Sequence, residues 1–288
     1  MRVARTPAEL AVRPRAVAIG TFDGVHLGHR AVIAATLAEN GTPTAVTFHP
    51  HPRIVLGNRV DLLSTIDRRL ELLEAAGIVE ALVVDFTPEV AALAPLDFLG
   101  EYLAAPGAQV VVAGEDFRFG RLSAGDLETV RGAGIEARAV PLLDGVSSTR
   151  VRELVREGRV EAAAALLGRP FELDGIVVSG DQRGGTLGFP TANLRVPPDQ
   201  LVPAYGIYAG AVGEHRAAVS IGVNPHYGGA ERRIEAFLLD WHGDLYGKRL
   251  VLELWRKLRD ERVFASEGEL VAQIASDVAE TRAAVRPG

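Results

Sequence analysis

Apolar and polar positions alternate along this chain in two different rhythms. In the first part, short β-rich apolar runs at 16–20, 45–48, 81–85 and 109–113 end in glycine or polar turns. Between them lie stretches of helical period at 29–40, 67–76 and 96–104. Strands that keep alternating with helices pair in parallel, because each helix carries the chain back across the sheet. Two more helices are expected after the last of these strands. Ser147 or Ser148 caps the first, which runs to Gly158 as its stop. The second covers 160–167 and is ended by Gly168 and Pro170.

After Phe171 the rhythm changes. Apolar runs follow closely at 173–178, 208–212, 217–221, 234–239 and 250–255, punctuated by Gly, Pro, Asn and Asp. Dense short strands without helices between them predict an antiparallel barrel or sandwich. One amphipathic helix over 266–284 closes the chain, with Ser266 as cap and Glu269 three residues on as its partner in a capping box. The expected fold is a two-domain chain, with an α/β Rossmann-like domain over 1–169 and an antiparallel β-barrel with a C-terminal helix over 170–288. A length of 288 residues fits that division.

Composition narrows the chemistry. The chain has no cysteine, which excludes disulfides, thiolate nucleophiles and Cys-ligated zinc. Residues 1–10 lack the apolar run of a signal peptide, and no apolar stretch approaches the ~18 residues of a membrane span. A cytoplasmic protein without membrane contact is expected. The net charge of -6 argues against a general nucleic-acid binder, which is more often basic. It leaves room for phosphate chemistry, which needs only a few placed arginines and helix N-termini.

The first candidate site follows the first long strand, in Gly20-Thr21-Phe22-Asp23-Gly24-Val25-His26-Leu27-Gly28-His29. A turn from the carboxyl end of a sheet strand into a helix is a favoured ligand position, with free N–H groups and a positive dipole end. His26 and His29 are three apart and share a face of the first turn, and Gly28 leaves room for a ligand. Imidazoles so placed can donate to phosphoryl oxygens as charge develops. The same pair would also serve as helix caps or packing. With His49 and His51 after the next strand it would alternatively offer four metal ligands, although the prolines there favour a rigid turn. Further on, Ser147-Ser148-Thr149 opens a helix carrying Arg152 one turn in, which supplies hydroxyls, N–H groups and a guanidinium fork.

The second candidate site lies in the barrel half. A glycine-rich stretch with Arg183 runs from Gly180 to Gly188 and continues as Phe189-Pro190-Thr191-Ala192-Asn193. No Walker-type phosphate loop occurs in the chain, so a phosphate cradle here would use backbone N–H groups of that stretch. Thr191 and Asn193 point the same way along a strand, and a hydroxyl with a carboxamide oxygen suits a weakly held Mg²⁺. Glu235 interrupts an apolar strand pattern, where it would otherwise face solvent.

These strings carry a resemblance. The ten residues from Gly20 resemble the HxGH signature of the nucleotidyltransferase superfamily. In extended form they are similar to the bacterial bifunctional riboflavin kinase/FMN adenylyltransferases. The strings from Thr47, Ala113 and Ser147 agree in order and spacing, as do LGFPTANL and the later barrel strings. The resemblance implies a nucleotidyltransferase domain and a riboflavin-kinase-like barrel, with riboflavin, FMN and ATP as substrates, Mg²⁺ as cofactor and FMN and FAD as products. It implies catalytic roles for His26, His29 and Arg152 on the ATP phosphates, and for Glu235 as the base at the riboflavin hydroxyl. It implies nucleotide contacts at Gly20, Thr21, Phe22, Asp23, Gly24, Ser148, Thr149, Arg183, Gly188 and Pro190. It implies Mg²⁺ ligands at Thr191 and Asn193, and flavin contacts at Phe48, Pro50, His51, Asp116 and Arg259. Relatives often carry a basic residue in the stretch that is Leu122-Ser123-Ala124 here, and a histidine where Phe237 stands. The alternative is an adenylyltransferase whose barrel binds flavin without turning it over. A nucleic-acid-associated nucleotidyltransferase is disfavoured by the acidic balance, and self-association is left open.

Overall fold

The computed structural model describes residues 1–179, 189–223 and 232–288. By contacts the chain divides into two compact units: Met1–Val60 with Ile66–Ser147, and Asp61–Thr65 with Ser148–Gly288.

The first unit carries β1 (Arg2–Ala4), β2 (Arg15–Ile19), β3 (Thr42–His49), β4 (Glu80–Asp85), β5 (Ala108–Gly114) and β6 (Glu136–Val140). They form a parallel sheet in the order β1-β4-β3-β2-β5-β6. Around it lie α1 (Leu27–Leu37), α2 (Pro52–Val55), α3 (Ile66–Ala75), α4 (Pro88–Ala92), α5 (Pro95–Leu99) and α6 (Leu127–Gly132). Successive residues of the central strands feed opposite cores: Val17, Ile19, Val46 and Val111 on one face, Ala16, Ala18, Ala45 and Val112 on the other. Burial on both faces is why these strands read as unbroken apolar runs. The edge strands β1 and β6 lack that signal, since β6 alternates charged and small residues. The helix expected over 96–104 divides into α5 and a π-turn at Gly100–Ala104. Strand β2 has β3 on one side and β5 on the other, so its carboxyl end is the topological switch point of the sheet.

The second unit carries α7 (Ser148–Arg156) and α8 (Val160–Leu167), then β7 (Phe171–Val178), β8 (Ala192–Arg195), β9 (Gly206–Val212), β10 (His215–Val223), β11 (Arg232–Leu238) and β12 (Arg249–Arg259). The strands close an antiparallel barrel in the order β10-β11-β8-β7-β12-β9. The final helix α9 (Glu267–Ala283) follows. Ser266 caps it by accepting from the Glu269 N–H at 3.2 Å. The Glu269 carboxylate accepts from the Ala265 N–H instead of closing the box on Ser266.

Helices α7 and α8 pack with the barrel. Val151, Leu154, Val160 and Leu167 share one core with Phe171, Leu173 and Val219. Gly168, in the left-handed region at φ 69°, turns the chain from α8 towards β7. The contact division therefore runs before α7, where the change of rhythm in the sequence lies near residue 170. The short segment Asp61–Thr65 also belongs here. The Leu62 N–H donates to the Asp199 carbonyl at 2.6 Å, and the Leu62 carbonyl accepts from the Leu201 N–H at 2.8 Å. Leu63 is in the barrel core, and the Thr65 hydroxyl donates to the Asp174 carboxylate. Among the described residues no helix is long and apolar enough to cross a membrane.

Candidate active sites

The turn after β2 is pinned to β3. The Gly20 N–H donates to the Val46 carbonyl at 3.1 Å, and the Thr47 hydroxyl donates to the Thr21 carbonyl at 3.0 Å. Phe22, Gly24 and Val25 all have positive φ, at 49°, 79° and 40°. Strained backbone of this kind, at a cost of order 1–3 kcal/mol per non-glycine residue, clusters at functional sites. The side chains of Phe22 and Asp23 are buried, so of the expected contacts at 20–24 these two turn inward and offer a ligand only backbone.

His26 caps α1. Its Nδ1 accepts the His29 backbone N–H at 3.3 Å, so a neutral His26 carries its proton on Nε2. The rings of His26 and His29 stack at 3.7 Å with 14° between their planes, and Phe22 meets His29 edge-on at 5.3 Å. The shared face expected from their spacing is realised. A Cβ on Gly28 would stand 3.1 Å from His26 Cε1, so glycine there preserves the stack. The capping reading is also true of His26, whose Nδ1 makes the cap.

At the end of β3, Phe48 is a core residue against Phe86 and Phe98. The His49–Pro50 bond is cis. His51 is buried and caps α2, its Nδ1 accepting from the Arg53 N–H at 3.1 Å. Asp116 is exposed, with its carboxylate folded over Gly114. Among the described residues no group of three or more His, Asp or Glu could hold a metal. Ser148, Thr149 and Arg152 lie on α7 in the other unit. Arg152 is buried, and its Nε–H donates to the Asp61 carbonyl at 2.8 Å. Arg156 reaches the Asp61 carboxylate at 2.7 Å.

In the barrel, alternation along β11 sends Ile234, Ala236 and Leu238 into the core and leaves Glu235 and Phe237 on the other face. Glu235 is directly opposite Asn193 on β8 and Ser220 on β10. It lines a cavity of about 380 Å³ together with Thr191, Ser220, Phe237, Arg259 and Glu261. A second hollow of about 440 Å³ is lined by Pro190, Thr191, Asn193, Asp244 and Tyr246. Thr191 lines both hollows, whereas Asn193 lines only the second of the two. Arg183 and Gly188 lie outside the described residues. Arg259 lines the Glu235 cavity, but its fork is held by Asp277 of α9 at 3.0 and 2.7 Å. Burial pushes the Glu261 carboxyl up, against the opposing pull of Arg259. Asp240, just past the end of this strand, is exposed and paired bidentately with Arg282. Ser220, Asp277 and Tyr246 had no sequence signal of their own, because only strand pairing and helix docking bring them here.

Two family models match the chain: FAD synthetase over residues 9–150 and riboflavin kinase over residues 167–285. The bifunctional riboflavin kinase/FMN adenylyltransferase of Listeria monocytogenes serovar 1/2a is 38% identical over 93% of this chain and 92% of its own length. The protein of the same name from Bacillus subtilis (strain 168) is 35% identical over 91% and 89%. A crystal structure described as a macrolide-efflux protein from Streptococcus pneumoniae aligns with a TM-score of 0.85 at 30% identity, covering 97% of this chain and 98% of that one.

Proposed function

The chain belongs to the bifunctional riboflavin kinase/FMN adenylyltransferase family, and from that premise we propose how its residues divide the work. The protein phosphorylates riboflavin with ATP to give FMN, then adenylylates FMN with a second ATP to give FAD and pyrophosphate. Residues 1–169 supply the adenylyl-transfer groups and 170–288 the kinase groups. Both steps draw on ATP, which supports a cytoplasmic protein.

In adenylyl transfer an FMN phosphate oxygen attacks the α-phosphorus of ATP in line, and pyrophosphate leaves. No proton needs to move and no covalent intermediate is required, so catalysis is positioning and charge stabilisation. His26 Nε2–H and the His29 ring donate to phosphoryl oxygens at the start of α1. Arg152, with Ser148 and Thr149, holds the departing phosphates. The backbone of 20–24 lies along the nucleotide, and Pro50, His51 and Asp116 contact the flavin. Phe48 supports them from the core.

In the kinase step Glu235 takes the proton of the riboflavin 5′-hydroxyl as that oxygen attacks the γ-phosphorus, and ADP leaves. Pro190 lines the nucleotide hollow, and Arg183 and Gly188 of the glycine-rich stretch contact the nucleotide. The hydroxyl of Thr191 and the carboxamide oxygen of Asn193 fit a hard cation and would hold Mg²⁺, which neutralises phosphate charge. Arg259 forms part of the flavin wall. The observation that carries a working kinase over a silent barrel is the cross-strand pairing of Asn193 with Glu235. The pairing supports the reading because Glu235 stands across from Asn193 and shares its cavity with Thr191.

Incubation with riboflavin, ATP and Mg²⁺, followed by chromatography of the flavins, tests the assignment. FMN and FAD should appear in turn. Riboflavin left intact, with FAD formed from added FMN, would favour the silent barrel.

A further inference from the structure

Arg68 and Arg69 are adjacent on α3 but lead different lives. Arg68 pairs with Glu71 one turn along its own helix, the ordinary fate of a surface arginine. The side chain of Arg69 is only 1% exposed. Its Nη1 donates to the Phe48 carbonyl at 3.1 Å, and its Nη2 stands 3.8 Å from the Asp23 carboxylate, which is equally buried.

A buried guanidinium paired with a buried carboxylate is a poor device for stability, since apolar residues of the same volume often serve as well or better. What this pair does provide is location. Asp23 lies in the strained turn between β2 and the histidine stack. Phe48 is the strand residue just before His49, Pro50 and His51. One planar fork therefore spans the turn expected to carry the nucleotide and the strand end expected to carry the flavin. Only an arginine can hold both with separate nitrogens of a rigid group.

We infer that Arg69 is a positioning residue for adenylyl transfer, fixing the separation of the ATP-side turn from the flavin-side strand end. It touches neither substrate. The inference rests on reading His26 and His29 as phosphate ligands. In-line attack needs the reacting atoms about 3–3.5 Å apart, and a misplacement of about 1 Å can cost roughly a hundredfold. Loss of the fork should therefore appear in turnover and not in the binding of either substrate.

The test uses the full-length chain. Arg69→Lys keeps the buried charge and replaces the fork with a single ammonium. Turnover of FMN to FAD should fall about 30-fold, with KM for ATP and for FMN each within about threefold of the parent. Riboflavin phosphorylation should be unchanged. Arg69→Gln, which loses the charge as well, should fall further, by about a hundredfold or more. If Arg69→Gln does not fold, Arg69→Lys alone decides. Parent-like turnover in a folded Arg69→Lys overturns the inference. So does a loss shared equally between turnover and both KM values with a lowered melting temperature, which is what a merely structural role would give. His29→Ala in the same assay separates the two levels. Parent-like FAD formation in His29→Ala defeats the reading of the site. A loss there, beside a parent-like Arg69→Lys, defeats only the role of Arg69.

Discussion

Single side chains divide into those whose role follows from type and spacing and those that only packing reveals. His26 and His29 are of the first kind, since three residues on a first helical turn bring two rings to one face. His29→Ala should lower FAD formation from FMN by about a hundredfold, the scale of losing one donor to a developing charge. Phosphorylation of riboflavin should be spared. Equal loss of both activities in steady-state assays would mean that His29 holds the fold. Glu235 was visible as a charge inside an apolar strand, but Ser220 and Asn193 beside it come from pairing register. Arg69 and Asp277 were invisible for the same reason, since burial and docking are not local properties. Leu122 shows the converse. It is 92% exposed and sits at φ 56°, a conformation that costs an L-residue roughly 1–2 kcal/mol. Leu122→Gly removes that strain and gives back part of the gain as unfolded-chain entropy. A net gain of about 0.5 kcal/mol is expected in urea unfolding, and a loss would show that Leu122 has a contact of its own.

At the scale of elements, the central strands were readable because burial on both faces leaves an unbroken apolar run. Strands β1 and β6 were not, because an edge needs only one apolar face. The assignment of α7 and α8 was equally hidden, since their period shows which face is apolar but not which core receives it. That core is the barrel's, and it sets how the chain can be cut. Burying one Val or Leu side chain is worth about 1.5–3 kcal/mol. The surface covered by Val151, Leu154, Val155, Val160 and Leu167 thus amounts to much of the roughly 5–15 kcal/mol that stabilises a whole domain. A fragment starting at Ser148 should fold and phosphorylate riboflavin, melting somewhat below the full chain because it lacks Leu63 and Thr65. One starting at Gly168 should aggregate or melt far lower. Equal melting curves for the two fragments would show that the helices contribute nothing to the barrel.

For the whole molecule, two chemistries with separate groups predict a separable flux. Glu235→Gln should lose about 10² to 10⁴-fold in riboflavin phosphorylation, the range for a positioned base, and still convert added FMN to FAD. Mixed in one vessel with His29→Ala, it should restore conversion of riboflavin to FAD after a lag, as FMN made by one chain is used by the other. Chromatography that finds FMN but no FAD in the mixture would mean that FMN passes only within a chain. The covalent path is less separable than the chemistry. The chain enters the second unit at Asp61, leaves it after Thr65 and returns at Ser148. The strap 61–65 is thus encoded inside one half of the gene and read by the other. It must find the Asp199 carbonyl, the Leu201 N–H and the Asp174 carboxylate of whichever barrel it is inherited with. A recombination that joins the halves of two relatives at a single junction leaves a foreign strap in the barrel. The two activities are free to work apart, yet their coding sequences are under pressure to descend together.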